Sequence, residues 1–236
     1  MNDSHPLVAG GGDPGREKAL AAAASDLNNL LQIISGAVAS LEETCRDLPG
    51  SGKPLAMLRA SVDRAAHVTE QLATEVGGTE QKILLHPAFA SSVEKRRSPT
   101  LRVAHRILVV DDEPMALELS KRILTQAGFV VTTAGSGAEA LEWVGRDSHR
   151  FDLYLIDLNM PAMDGEETFL RLRGLDPKAL VLLNTGFIER HRLERMMAHG
   201  LSGFIRRPYR PEDLTGQVSS ILAKRKNPQI SANPSA

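Results

Sequence analysis

At 236 residues the chain has room for one large domain or two small ones. With 28 basic against 29 acidic residues it carries no net field toward nucleic acid or an anionic membrane, and its one cysteine, Cys45, excludes an internal disulfide and fits a reducing compartment. No apolar run is long enough to span a bilayer, and the polar, Gly/Pro-rich start lacks the basic-then-apolar order of a signal peptide, so the expectation is a cytoplasmic protein with disordered ends at 1–15 and 226–236.

From 16 to 76 the pattern is helical. Leu27, Leu30, Leu31, Ile34, Val38 and Leu41 recur at three- and four-residue spacing and share one helix face. The Gly/Pro-rich stretch 49–54 breaks the helix, with Pro54 placed to start the next. Leu55, Leu58, Val62, Ala65, Thr69, Leu72 and Val76 then alternate by three and four, a coiled-coil seam. Two such helices make a hairpin that buries too little alone. It is expected to pair with a second copy as a dimeric four-helix bundle, the alternative being that it packs on its own C-terminal domain. Residues 77–105 read as a linker, and its basic cluster at 95–97 as a solvated stretch.

From 106 to 225 strand and helix alternate. Strands are expected at 107–110, 130–133, 153–156, 180–183 and 203–205, and helices near 114–127, 137–144, 165–173, 190–199 and 211–223. Five such units predict an α/β fold, a doubly wound five-stranded parallel sheet with helices on both faces. Asp111 and Asp112 close the first strand and Asp157 the third. Ligands of open α/β sheets bind beyond the carboxyl ends of the strands. Three like charges gathered there repel one another unless a cation sits between them, and oxygen-only ligands suit Mg²⁺. A carboxylate beside Mg²⁺ can act as a nucleophile toward phosphorus.

Five features in order extend this reading: Asp111-Asp112-Glu-Pro, Asp157-Leu-Asn159-Met-Pro161, Asp164-Gly165, Thr185-Gly186-Phe and Arg206-Arg207-Pro208-Tyr209. With them the C-terminal half resembles the receiver domain of bacterial two-component response regulators. The resemblance implies that Asp157 is the phospho-acceptor, that Asp112 binds Mg²⁺ directly and Asp111 through water, and that the backbone carbonyl of Asn159 completes the metal site. It also implies that Thr185 bonds the phosphoryl oxygen while Phe204 turns inward as Thr185 moves. The family carries Lys where Arg207 stands. Arg keeps the charge but is a wider planar fork, so the exchange is not conservative in a tight phosphate site.

The hairpin, through the segments 24–32 and 64–72, is similar to the dimerisation and phospho-acceptor domain of sensor histidine kinases. Ser25 stands where that family has the accepting His, with Asp26 after it and Asn29 four residues on. Serine cannot replace imidazole as the phosphate carrier, and the span 77–105 is too short for an ATP-binding domain. The resemblance therefore implies a kinase remnant without kinase activity: a homodimer in which Asp157 takes phosphate from a separate histidine kinase or histidine phosphotransfer protein. Output would run through protein contacts, with no nucleic acid or membrane involved. The alternatives are a phosphatase or phosphate sink, in which the Asn29 amide orients water, and a phosphorylation-independent scaffold. His67, the other histidines, Trp143, and Arg190, Arg192 and Arg195 are read as solvated or packing residues.

Overall fold

The computed structural model describes residues 14–48, 50–75, 77–79, 83–85, 104–146 and 151–225. The 1–13 segment, most of the linker with its 95–97 cluster, and the tail from 226 lie outside the described residues. Among the described residues no helix is long and apolar enough to cross a membrane.

Two long helices come first, α1 (Pro14–Thr44) and α2 (Gly52–Glu75). A short strand β1 (Ile83–Leu85) follows. Then come β2 (Arg106–Val110), α3 (Pro114–Gln126), β3 (Val130–Ala134), α4 (Gly137–Arg146) and β4 (Leu153–Ile156). The chain continues through α5 (Gly165–Leu175), β5 (Val181–Thr185), α6 (Arg190–Ala198), β6 (Gly203–Arg206) and α7 (Pro211–Arg225). The βα alternation is thus found at the expected places, within a residue or two at most ends.

The sheet itself corrects one expectation. It has six strands in the order β1-β6-β5-β4-β2-β3. The five expected strands are parallel, but β1 adds to the edge in the antiparallel sense, with Leu84 opposite Phe204. Three residues in a polar stretch give no alternation to read, yet they cover an edge that would otherwise present unpaired backbone groups. The linker is therefore partly structured. Gly78 also bridges Glu189, and Thr79 N–H donates to the Ile188 carbonyl.

Strands β2, β4 and β5 are buried on both faces, as their unbroken aliphatic runs require. One core layer gathers Val110, Ile156, Phe169, Leu172, Leu183 and Phe204, while Ile107, Leu155, Leu182, Leu214, Val218 and Ile221 fill the other face. Asp164 caps α5 by accepting the Glu167 N–H at 2.8 Å, as its position before a glycine at the helix start implies.

The hairpin seam divides between two environments. Leu31, Val38, Val62 and Thr69 are buried, whereas Leu27, Leu30, Ile34, Leu41, Leu58 and Leu72 face solvent. A third face of α1, which is polar, packs on the domain that follows. The packing on the chain's own C-terminal domain, held above as the alternative, is thus present. It leaves an apolar stripe open on the hairpin. Arg122 of α3 donates to Ser40 and pairs with Glu43, and Gly36 lies against Leu119, so α1 and α3 are also in contact.

Candidate functional site

Strand register builds the site. Val110 pairs with Ile156, Ile156 with Leu183, and Thr185 with Arg206. The residues that follow or close these strands, Asp111, Asp157, Thr185 and Arg207, therefore gather at one edge, beyond the carboxyl ends. Backbone bonds fix them there: Asp157 N–H donates to the Val110 carbonyl at 2.8 Å and Arg207 N–H to that of Thr185 at 2.9 Å. Carboxylate oxygens of Asp111, Asp112 and Asp157 lie within 4.8 Å of one another. That spacing and all-oxygen donor set fit a hard divalent cation. Asp111 is not a helix cap. The N-cap of α3 is Glu113, which makes no side-chain cap bond, and Asp111 accepts the Glu113 N–H at 3.0 Å.

Arg207 lies at the centre, fully buried. Its Nη2 donates to Asp111 Oδ2, its Nε donates to Asn184 Oδ1 at 3.1 Å, and its Nη1 donates to Asn29 Oδ1 at 3.0 Å. Nη1 also stands 3.6 Å from Asp157 Oδ1, an oxygen with no hydrogen-bond donor of its own. Burial works against the guanidinium charge, but Asp111 and Asp157 hold it firmly protonated. Asp157 is pushed up to about 6, chiefly by burial; Arg207 pulls the other way, and the Asp111 charge adds to the rise. Asp112 is also raised, by partial burial first.

Thr185 is buried and donates to the Phe187 carbonyl at 3.2 Å. Phe204 is fully buried in the core layer, already inward. Asn159 donates its N–H to Asp157 Oδ2 at 3.1 Å, while its side-chain amide donates to Ser25 Oγ at 2.7 Å. Ser25 and Asn29 thus reach the site from the hairpin; Asp26 points to solvent. Arg192 corrects its solvated reading, since it pairs with both Asp164 and Glu166 at 2.5 Å.

Sequence reasoning missed Asn28, Gln32 and Asn184. Asn28 Nδ2 donates to the Gly186 carbonyl at 2.7 Å, and Gln32 Oε1 accepts the Tyr209 N–H at 2.6 Å. Ser25, Asn28, Asn29 and Gln32 are spaced three and four apart, a single stripe of α1, and that polar stripe was the available signal. Glycine at 186 has its reason here: a Cβ would sit 2.5 Å from the Ser25 carbonyl oxygen. From α2, Glu70 pairs with Arg206, which also donates to the Thr79 carbonyl.

The doubly wound sheet, parallel but for β1, and the three carboxylates gathered at its carboxyl edge define the class of α/β fold. The profile of the response regulator receiver domain matches residues 107–219, and this segment is a receiver domain. Over 129 residues the chain is 29% identical to the transcription factor SKN7 of Chaetomium thermophilum, covering 54% of this chain and 17% of that one. It is 32% identical over 125 residues to the two-component response regulator ORR24 of rice, covering 53% and 20%. The chain thus spans about a fifth of the length of these curated relatives. They come from fungi and plants, so the resemblance is not confined to bacteria. The receiver domain of a Luxo repressor protein from Vibrio parahaemolyticus superposes with a TM-score of 0.50 at 20% identity, over 56% of this chain and 99% of that one, which shows the fold alone.

Proposed function

We propose that this protein accepts a phosphoryl group on Asp157 within a phosphorelay, from a histidine kinase or a histidine phosphotransfer protein. The observation that carries the reading is the cluster of three carboxylates at the strand ends, with Asp157 Oδ1 free of hydrogen bonds and a buried cation beside it. In the transfer, an Asp157 oxygen attacks phosphorus, the P–N bond of the phosphoimidazole breaks, and its electron pair returns to the ring nitrogen. Asp111, Asp112 and Asp157 would hold Mg²⁺, with the Asn159 carbonyl as a further ligand. That ion supplies neutralisation of the charge spread over the phosphoryl oxygens. Thr185 and Arg207 are the side chains available to bond those oxygens.

Intact mass after incubation with Mg²⁺ and acetyl phosphate tests this. One phosphoryl group on the wild type and none on Asp157→Ala supports it; no label on the wild type or on Asn28→Ala, which frees α1 from the Gly186 carbonyl, beside a labelled control receiver, overturns it.

The open stripe on the hairpin favours homodimerisation. Leu20, Leu27, Ile34 and Leu41 recur at seven-residue intervals on α1 and all face solvent, with Leu58, Val68 and Leu72 exposed on α2. A second copy would cover them as a four-helix bundle, the kinase-type arrangement without kinase chemistry. Light scattering on the full chain reads this directly. The contact of Asn29 with Arg207 favours a second activity, hydrolysis of an acyl phosphate on a receiver, with the Asn29 amide orienting the water. Asn29→Ala would then lengthen the lifetime of the phosphate.

A further inference from the structure

Asp157 is only 2% exposed, and a part of the same chain lies against the rim of its pocket. That part is the polar stripe of α1. Its four partners on the receiver are Asn159, Gly186, Arg207 and Tyr209. Each of these is within two residues of Asp157, Thr185 or Arg207, or is one of them. A stripe that bonds the rim at four points covers the Asp157 side of the pocket and obstructs a bulky phosphoryl donor there, while Asp112 stays exposed on the other side.

We propose that α1 is a releasable plug on the receiver, that the chain Asp111–Arg207–Asn29 is its latch, and that docking of α1 and binding of a divalent cation to the three carboxylates oppose one another. This rests on the reading of Asp157 as the acceptor and adds what governs access to it.

The latch follows from charge. The Arg207 guanidinium bonds Asp111 and stands beside Asp157, so it neutralises the carboxylates a cation needs. A divalent ion there would place like charges within a few ångströms beside the buried Asp111 and Asp157, and Arg207 must swing off Asp111 to relieve them. Asn29 Oδ1 is held by the same guanidinium and loses its donor when Arg207 moves. Space for the movement exists. A cavity of about 220 Å³ opens beside Arg207, walled by α1, α2 and the segment 206–210, with Asp63 and Glu70 on its wall beside Arg59, Arg206 and Arg210. Asn29 is thus a positioning residue, acting through Arg207. Linkage is reciprocal: whatever factor the cation takes from docking, undocking returns to cation affinity.

The test uses the full chain, hydrogen exchange of residues 24–32 and calorimetric Mg²⁺ affinity, for wild type, Asn29→Ala and Asn28→Ala. The last removes a docking contact without touching Arg207 or a carboxylate, and serves if Asn29→Ala does not fold. Exchange in 24–32 is expected to quicken about fivefold or more from chelator to saturating MgCl₂, and Mg²⁺ affinity to rise by a similar factor in the variants. If Mg²⁺ and beryllofluoride bind the wild type while 24–32 stays protected and the affinities are equal, the latch is refuted and the acceptor reading stands. If no protein, variants included, binds either probe, the acceptor reading fails and the latch with it.

Discussion

Replacing Gly186 with alanine probes the docking of α1 through a single methyl group. The new Cβ would lie 2.5 Å from the Ser25 carbonyl oxygen, 3.0 Å from Asn29 Oδ1 and 3.1 Å from Asn28 Cβ. Non-bonded carbon contacts settle near ~3.5–4.0 Å, so α1 must retreat by roughly 1 Å. The nearest atom belongs to the helix backbone and cannot rotate aside. That retreat lengthens the 2.7 Å bond from Asn28 to the Gly186 carbonyl beyond useful range and strains the 3.0 Å contact of Asn29 with Arg207. Overpacking costs about 1–3 kcal/mol and each of the two weakened hydrogen bonds about 0.5–1.5 kcal/mol, so docking loses on the order of 2–6 kcal/mol. The receiver is spared. Gly186 does not have a positive φ, and the three atoms nearest the added methyl all belong to α1. Hydrogen exchange by residue segment is the assay. Peptides covering 24–32 should exchange roughly 30-fold faster or more, while β2, β4 and β5 keep their protection. Unchanged exchange in α1, or loss of protection in the strands, would refute the packing argument.

The remaining predictions concern charge and the open stripe. Because the folded Asp157 carboxyl is raised from 3.8 to about 6, the folded state binds more protons than the unfolded one across that window. Stability in a metal-free buffer with chelator therefore falls as pH rises from about 4 to about 6, by on the order of 1–3 kcal/mol, and Asp157→Asn flattens the profile; a denaturant series across pH reads both. Arg207→Ala leaves Asp111 buried without its cation and should cost about 3–5 kcal/mol in urea unfolding, with Mg²⁺ restoring part of it. Leu27→Glu with Ile34→Glu charges the exposed stripe. It should convert a dimer to monomer in light scattering while receiver phosphorylation by acetyl phosphate is unchanged; an unchanged mass would place the dimer contact elsewhere or remove it.

Local sequence determined the receiver. Aliphatic runs ended by Asp111, Asp157 and Thr185 specify buried strands whose last residues reach the same crevice, because parallel strands align their carboxyl ends. Helix periodicity likewise announced the hairpin, and the seam it predicted divides into inner residues such as Leu31 and outer ones such as Leu27. Tertiary structure alone decided where α1 rests. Periodicity registers apolar burial, and Ser25, Asn28, Asn29 and Gln32 look like a solvated stripe until they meet donors and acceptors more than a hundred residues away. The same holds for Arg207, whose number shows only a charge beside a proline. Its place against Asp111, Asn184 and Asn29 comes from three elements distant in the chain. Strand β1 is too short to carry a pattern and exists because β6 offers it an edge. Polar burial depends on a partner being in place, and the sequence of either partner alone does not say that it will be.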